Sequence, residues 1–380
     1  MDFEFSDEQR QLRDTLERYL SRQYSFDHYR AIKASAEGWD KEVWRALGEL
    51  GVLAVNVPAE QGGLGFGPLE TLAIMEVCGP SMLLEPLSSS AVIATTVLSG
   101  FVSDQPVAQL LQQMASGDKI AVLAHYESDA RSELQWVSTR AQRSGDVYTL
   151  NGHKAVVLHA SLADTLLVSA RTMGECADAA GVSLFRVPRD ATGLKLATYA
   201  TVGGPLASEV VLRDVQVSAS TRLGKQDQAL PAIETALDVG LSALCAESVG
   251  IMQALLKATV EYLRTRQQFG QPLGRFQALQ HRVADMVMHL EQARSMNFLA
   301  AMRCMSPDIK ERRRALSAAK VVIGQAARFI GQQAVQLHGG MGMTEELNVS
   351  HLFKRLTAAE FMFGDTDTHL QKFATLTRNS

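Results

Sequence analysis

The apolar residues of this 380-residue chain change their repeat twice, and that order limits what the chain can fold into. From Ser6 to about Leu50 they recur at every third or fourth position (Leu12, Leu16, Tyr19, Leu20, then Val43, Trp44, Leu47, Leu50), which predicts two helices joined by a polar stretch. Ser6 followed three residues later by Gln9 is a capping box for the first. GVLAVNVPAEQGGLGFG breaks the pattern with Pro58 and five glycines before helical spacing returns at Leu69, Leu72, Ile74, Met75 and Val77. Between Lys119 and Leu223 the chain changes character: AVLAHY, QWVSTRAQ, DVYTLNG, KAVVLHA, DTLLVSA, VSLFRVP and SEVVLRDVQV are short β-branched runs separated by Gly, Asn, Asp and Pro. Helical spacing resumes after Gly224, over 229–266, 276 to about 305, 307 to about 337 and onward from 349. The expected architecture is α+β, with a helical domain over 1–118, a middle antiparallel β domain over 119–225 and a C-terminal four-helix bundle over 226–380.

Composition narrows the function. Hydrophobic residues at 46% and charged residues at 21% describe a globular chain, and 37 basic against 41 acidic residues, a formal charge of -4, offer no general attraction to nucleic acid or an anionic membrane. Any anionic ligand must be held by local basic groups. Cys78, Cys176, Cys245 and Cys304 are scattered and form no C-x-x-C pair, which argues against a disulfide framework or zinc knuckle. The expected location is a reducing cytoplasm, with no membrane span, since MDFEFSDEQRQLRDTLERYL is charged throughout and the apolar runs elsewhere are interrupted.

Two segments carry the chemistry. In RTRQQFGQPLGRFQALQ, Arg264 and Arg266 end one helix before a Gly-Gln-Pro turn, and Gln277 and Gln280 open the next. Guanidinium forks suit bidentate phosphate binding, and the helix start beyond the turn adds backbone donors. The other reading is a helix-helix corner with solvated arginines. QLHGGMGM, residues 336–343, is a glycine-rich break that lets backbone N–H groups approach an anion closely. Neither it nor GGLGFG has the strand-turn-helix setting of a dinucleotide fingerprint.

Taken in order, these segments resemble the acyl-CoA dehydrogenase family over nearly the whole chain. GVLAVNVPAEQGGLGFGPLETLAIMEVCG is similar to the family's N-terminal Pro-Glu-x-x-Gly-Gly-x-Gly segment, RQQFGQPLGRFQALQ to its Arg-x-x-Phe-Gly element and QLHGGMGM to its Gln-x-x-Gly-Gly-x-Gly element. The resemblance implies bound FAD at a subunit interface, usually in a tetramer. By the same resemblance, Arg266 contacts the pyrophosphate, Phe269 and Gln277 line that site, and Gln336, Gly339 and Gly340 approach the adenosine and phosphates of a flavin whose ring sits in the neighbouring subunit.

The family's reaction needs a carboxylate to take the proton alpha to a thioester. The usual base position, counted from Gly339, holds Phe363 in FMFGDTD; the position used by a minority of members falls on Gly240, followed by Leu241. None of these side chains takes a proton. Glu247 lies seven residues on, about 10 Å along a helix, and reads first as a charged residue flanking the stripe of Leu237, Leu241, Leu244 and Ile251. Asp365 and Asp367 read as a cap or turn, with a shifted acid or base as the alternative. The ring-contacting Thr-Glu-Pro-x-x-Gly-Ser-Asp segment is replaced by AHYESDARSEL, and the Trp-Ile-Thr segment by Val156, Val157 and Leu158.

The chain thus keeps the groups for a neighbour's ADP half and lacks those for its own ring and base. This pattern, with the ending FGDTDTHLQKFA, resembles the small non-catalytic subunits of heteromeric bacterial acyl-CoA dehydrogenases, which occur in pathways degrading steroid side chains and dicarboxylates. The implied partners are a larger catalytic subunit, the acyl-CoA held by that partner, and an electron-transfer flavoprotein as acceptor. Two alternatives stand beside it: a self-sufficient homo-oligomer using Glu247 or Asp365, and a flavin-free scaffold. The histidines are spaced as core or surface residues, not metal ligands, and KERRR at 310–314 reads as a solvated helix face or a tetramer contact.

Overall fold

The computed structural model describes residues 5–378. The expected capping box is present: Ser6 Oγ accepts from Gln9 N at the start of α1 (Asp7–Gln23), and the Gln9 side chain accepts from Ser6 N. Where the apolar spacing predicted two helices there are three, because Ser25 and Asp40 each restart the chain as N-caps, of α2 (Phe26–Ala34) and α3 (Lys41–Glu49). After the glycine-rich break come α4 (Pro68–Cys78), a π-helical segment (Leu87–Ala94), α5 (Thr95–Ser99) and α6 (Gln105–Ala115).

The middle region is one sheet built from β1 (Ala121–Ala124), β2 (Arg140–Ser144), β3 (Val147–Leu158), β4 (Thr165–Arg171), β5 (Val182–Pro188), β6 (Leu194–Ala200), β7 (Leu206–Ser218) and β8 (Arg222–Leu223). Its order is β6-β7-β3-β2-β4-β5-β8, with β1 beside β4. The sheet is not wholly antiparallel: β1 runs parallel to β4, Ala121 facing Thr165, and β2 meets β4 in parallel at Arg140 and Arg171. DVYTLNG and KAVVLHA, read as separate runs, are one strand, β3, with register shifts at Leu150/Gly152 and Lys154/Val157. Bulges of this kind absorb the glycine without ending the strand.

The C-terminal region comprises α7 (Leu230–Thr265), the short hairpin β9 (Gln267–Gln268) and β10 (Gln271–Pro272), α8 (Gln277–Arg303), α9 (Ile309–His338), α10 (Asn348–Phe361) and α11 (Thr366–Arg378). The stretch from 349 is therefore two helices, broken at Phe363 (φ 60°) and Gly364 (φ 101°). Polar side chains close the break: Lys320 Nζ donates to Ala359 O at 2.6 Å, Glu360 Oε1 accepts from Thr366 N at 2.9 Å, and His369 Nε2 lies 3.0 Å from Phe363 O. KERRR is not a solvated face, since Arg312 pairs with Asp238 at 2.8 Å and Arg313 with Glu234 at 2.6 Å, both acids on α7.

Helix α7 is long and apolar enough to cross a membrane by length and composition alone, yet 83% of its most apolar window is buried inside the protein. It rests directly on α4. A Cβ on Gly250 would lie 2.0 Å from Glu76 O, and one on Gly79 would lie 2.4 Å from Glu247 O. Buried histidines tie other joints. His159 Nδ1 lies 2.8 Å from Ser89 Oγ and its Nε2 3.1 Å from Leu84 O, joining β3 to the N-terminal domain. His125 bridges Ser169 and Leu134, and His369 holds the α10–α11 break. Burial lowers all three below the ordinary histidine value, to about 3 for His125 with Lys154 adding to the effect, about 4 for His159 beside Arg355, and about 4 for His369.

Two outcomes follow from this packing. Gly250→Val forces the α4 and α7 backbones apart and should cost about 3 kcal/mol or prevent folding, whereas Gly340→Ala, whose added Cβ meets nothing within 4 Å, should leave the melting temperature unchanged. For the histidines, the unfolded chain takes up protons from about pH 6.5 downward and the folded chain does not until about pH 4. Stability should therefore fall between pH 7 and pH 5, by up to about 2 kcal/mol per histidine, and be flat above pH 7 as far as these groups act. Urea titrations across that range, with His159→Gln flattening part of the slope, are the check.

Candidate functional site

The end of α7 turns into a two-residue hairpin whose tip is Phe269 (φ 52°) and Gly270 (φ 77°), between the paired Gln268 and Gln271. Two consecutive positive φ values are the signature of a type I′ turn, which glycine adopts freely and phenylalanine does not. Phe269 is nonetheless 88% exposed, touching Phe276 edge-on with ring centroids 6.0 Å apart. Arg266 is the last residue before this hairpin. Its backbone is fixed at both ends, donating to Tyr262 O and accepting from Leu273 N at 2.8 Å each, while its side chain is exposed. Among the described residues, neither Arg264 nor Arg266 forms an ion pair. Gln277 opens α8 with its side chain exposed, and Gln280 Nε2 donates to Gly274 O at 2.8 Å, closing the turn.

The second segment reaches the same end of the bundle through a ring stack. Tyr262 and His338 lie with centroids 4.5 Å apart and planes 30° from parallel, which sets the end of α7 beside the end of α9. Gln336, Gly339 and Gly340 follow at that end and are exposed. Gly339 needs its left-handed φ of 61°, but neither it nor Gly340 is crowded: an added Cβ would meet nothing within 4 Å. Unpaired guanidinium groups, exposed amides and open glycine backbone form a donor set that fits a pyrophosphate and its adenosine.

The ring-and-base half is different. Gly240 and Phe363, the two positions at which the resemblance seeks a base, face each other: a Cβ on Gly240 would lie 3.2 Å from Phe363 Cζ and 2.8 Å from Ile93 Cγ1. No proton acceptor stands at either. Glu247 is not a solvated flank of α7 but is 5% exposed and committed to Arg355, whose Nε and Nη2 donate to Glu247 Oε1 at 2.9 and 2.6 Å. Arg355 Nη1 also donates to Gly203 O at 3.0 Å, so the pair spans α7, α10 and the loop before β7. Asp365 Oδ1 accepts from Thr368 N at 2.8 Å as the cap of α11, and hydrogen bonding by the Thr368 side chain, then by its N–H, lowers the Asp365 carboxyl below the usual range, opposite to the shift a base needs. Asp367 is exposed in the first turn of α11.

On the β side, AHYESDARSEL turns Glu127 inward, while Asp129, Arg131 and Glu133 stay exposed. Glu127 accepts four hydrogen bonds from the N–H and hydroxyl groups of Ser138 and Thr139, and Lys154 Nζ lies 2.6 Å from Glu127 Oε1 and 3.0 Å from Ser169 Oγ. Burial alone would raise the Glu127 carboxyl, but the Lys154 ammonium and the hydroxyl donors hold it at about 2. The pair is a core device that the sequence pattern missed; its one signal was a lysine at an inward position of β3. Val156 is exposed in a bulge at φ 52°, Val157 is buried and Leu158 half-buried, so no side chain of that segment offers a hydrogen bond to a ring.

The residues therefore fit the ADP half of FAD and do not fit a flavin ring. Comparison with known proteins agrees with the architecture. Family models for the N-terminal, middle and C-terminal domains of acyl-CoA dehydrogenases match residues 6–118, 123–215 and 230–375. The chain is 30% identical over 377 residues to a probable acyl-CoA dehydrogenase, YngJ, of Bacillus subtilis, covering 97% of each. It is 30% identical to the mitochondrial short-chain specific acyl-CoA dehydrogenase of Rattus norvegicus, covering 85% of this chain and 79% of that protein. Among solved structures, a variant of the Tcur3481-Tcur3483 steroid ACAD superposes with a TM-score of 0.87 at 26% identity, covering 98% of both chains. With all three domains matched in order over most of its length, the chain belongs to the acyl-CoA dehydrogenase family.

Proposed function

We propose that this chain is a subunit of a heteromeric, FAD-dependent α,β-dehydrogenase of CoA thioesters, and that it completes the FAD site of a larger catalytic partner. The observation that carries this is the meeting of Gly240 with Phe363, which leaves both base positions without a proton acceptor while the opposite corner stays open and basic. Bound FAD supplies the hydride acceptor. In this chain Arg266 neutralises the pyrophosphate, Phe269 and Gln277 line its path, and Gln336, Gly339 and Gly340 let backbone and amide donors reach the adenosine and phosphates. The partner contributes the ring contacts, the carboxylate base and the acyl-CoA site. An electron-transfer flavoprotein then reoxidises the complex, in the cytoplasm. The likeness to a steroid enzyme named as a pair, Tcur3481-Tcur3483, supports a two-chain arrangement.

Expressed alone, the chain should be colourless; co-expressed with a longer family member encoded beside it, the complex should be yellow with about one FAD per pair of unlike chains, read by absorbance and native mass. A yellow homo-oligomer with one FAD per chain would sink the heteromer. Within the complex, Arg266→Ala removes a charge-assisted contact to phosphate and should weaken FAD binding about 10- to 100-fold, measured as loss of bound flavin on dilution.

A further inference from the structure

Positions 93, 240 and 363 come from three separate parts of the chain and meet at one point. Ile93 lies on the π-helical segment of the N-terminal domain, Gly240 in the first third of α7, and Phe363 at the break between α10 and α11. The added Cβ at Gly240 that would stand 3.2 Å from Phe363 Cζ would also stand 2.8 and 2.9 Å from Ile93 Cγ1 and Cδ1. The space that any side chain at 240 would need is thus taken by Phe363 and Ile93. Ile93 and Gly240 are buried, and the half-buried Phe363 packs against both apolar cores of the molecule.

The backbone at Phe363 is held where an ordinary loop would not keep it. A φ of 60° is unfavourable for a bulky residue and persists only when its surroundings fix it. Here His369 anchors Phe363 O, Gly364 supplies the next turn, and Asp365 caps the following helix. The ring is aimed, not left over.

We infer that Ile93, Gly240 and Phe363 form a plug that fills this chain's own acyl-chain space with protein atoms, so that the chain takes no CoA thioester itself. The inference rests on the reading of this chain as a non-catalytic subunit and adds to it. A site that has only lost its base can still bind substrate and compete with the partner's site; a filled one cannot. It follows that a carboxylate placed at 240 has no substrate to act on until the plug is removed.

The test uses thermal melts of the purified chain, or of its complex where the two co-purify, with and without benzene as an apolar probe. Phe363→Ala should lower the melting temperature by on the order of 5 °C. Benzene should restore about 2 °C or more of that loss and leave the wild type unmoved, because a dry apolar cavity takes up such a probe. Gly240→Ala should also lower the melting temperature, and that cost should shrink in an Ile93→Ala/Phe363→Ala background. If Phe363→Ala does not fold, the same comparison made in Phe363→Leu decides. The plug is overturned if benzene stabilises wild type and variant equally, if Gly240→Ala costs the same in both backgrounds, or if octanoyl-CoA binds saturably to the wild-type chain without a partner. These melts do not depend on flavin, whereas the heteromer stands or falls by FAD content.

Discussion

The backbone contact between α4 and α7 is the constraint on which the other positions in this molecule depend. Two helices whose main chains touch at Gly79 and Gly250 cannot slide or rotate without collision, because the contacting atoms are carbonyl groups and not adaptable side chains. The 36-residue α7, about 54 Å long, is thereby pinned near its centre to the N-terminal domain. Its two ends then have fixed places: one carries Glu234 and Asp238 against the arginines of α9, the other carries Tyr262 and Arg266 to the hairpin. Gly240 sits between them, and its lack of a side chain admits Phe363.

Charge placement follows the same frame. Two buried acid-base pairs, Glu247 with Arg355 and Glu127 with Lys154, lie at joints between elements, not in an open cleft. A buried carboxylate is costly unless paired and hydrogen-bonded, and removing its partner costs more than the pair contributes. Glu127 is also held by donors from Ser138 and Thr139, and Arg355 is also tied to the Gly203 carbonyl, which makes both pairs structural. This is the physical ground for setting Glu247 aside as a base: its Oε1 is occupied by a guanidinium that also holds the Gly203 carbonyl.

What the sequence made legible was what repeats or punctuates. Helical spacing located the two helical regions, and the Ser6–Gln9 box fixed the start of α1 to the residue. The three-domain order and the motifs around Arg266 and Gly339 were readable because arginine forks and glycine breaks are local features. Strand β6 was not seen, since LKLATYA mixes polar and small residues on a largely exposed strand and gives little alternation. The extra helix after Ser25 was missed because a cap is one residue long and a polar stretch hides it. The Gly240–Phe363 contact was not legible at all: each residue was read as a loss, and only the fold shows that they are complementary. The inward turn of Glu127 and Lys154 was hidden for the same reason, since pairing partners 27 residues apart leave no spacing rule.

The stack of Tyr262 on His338 sets the separation between the arginine at the end of α7 and the glycines after α9, and so gives the corner a gauge length. A ligand gains from both segments only if it is long enough to reach from one to the other. On the function proposed above, a flavin that ends at its first phosphate would have no adenosine to offer the far side, so the corner would distinguish the dinucleotide from the mononucleotide by extent, without a single group dedicated to telling them apart.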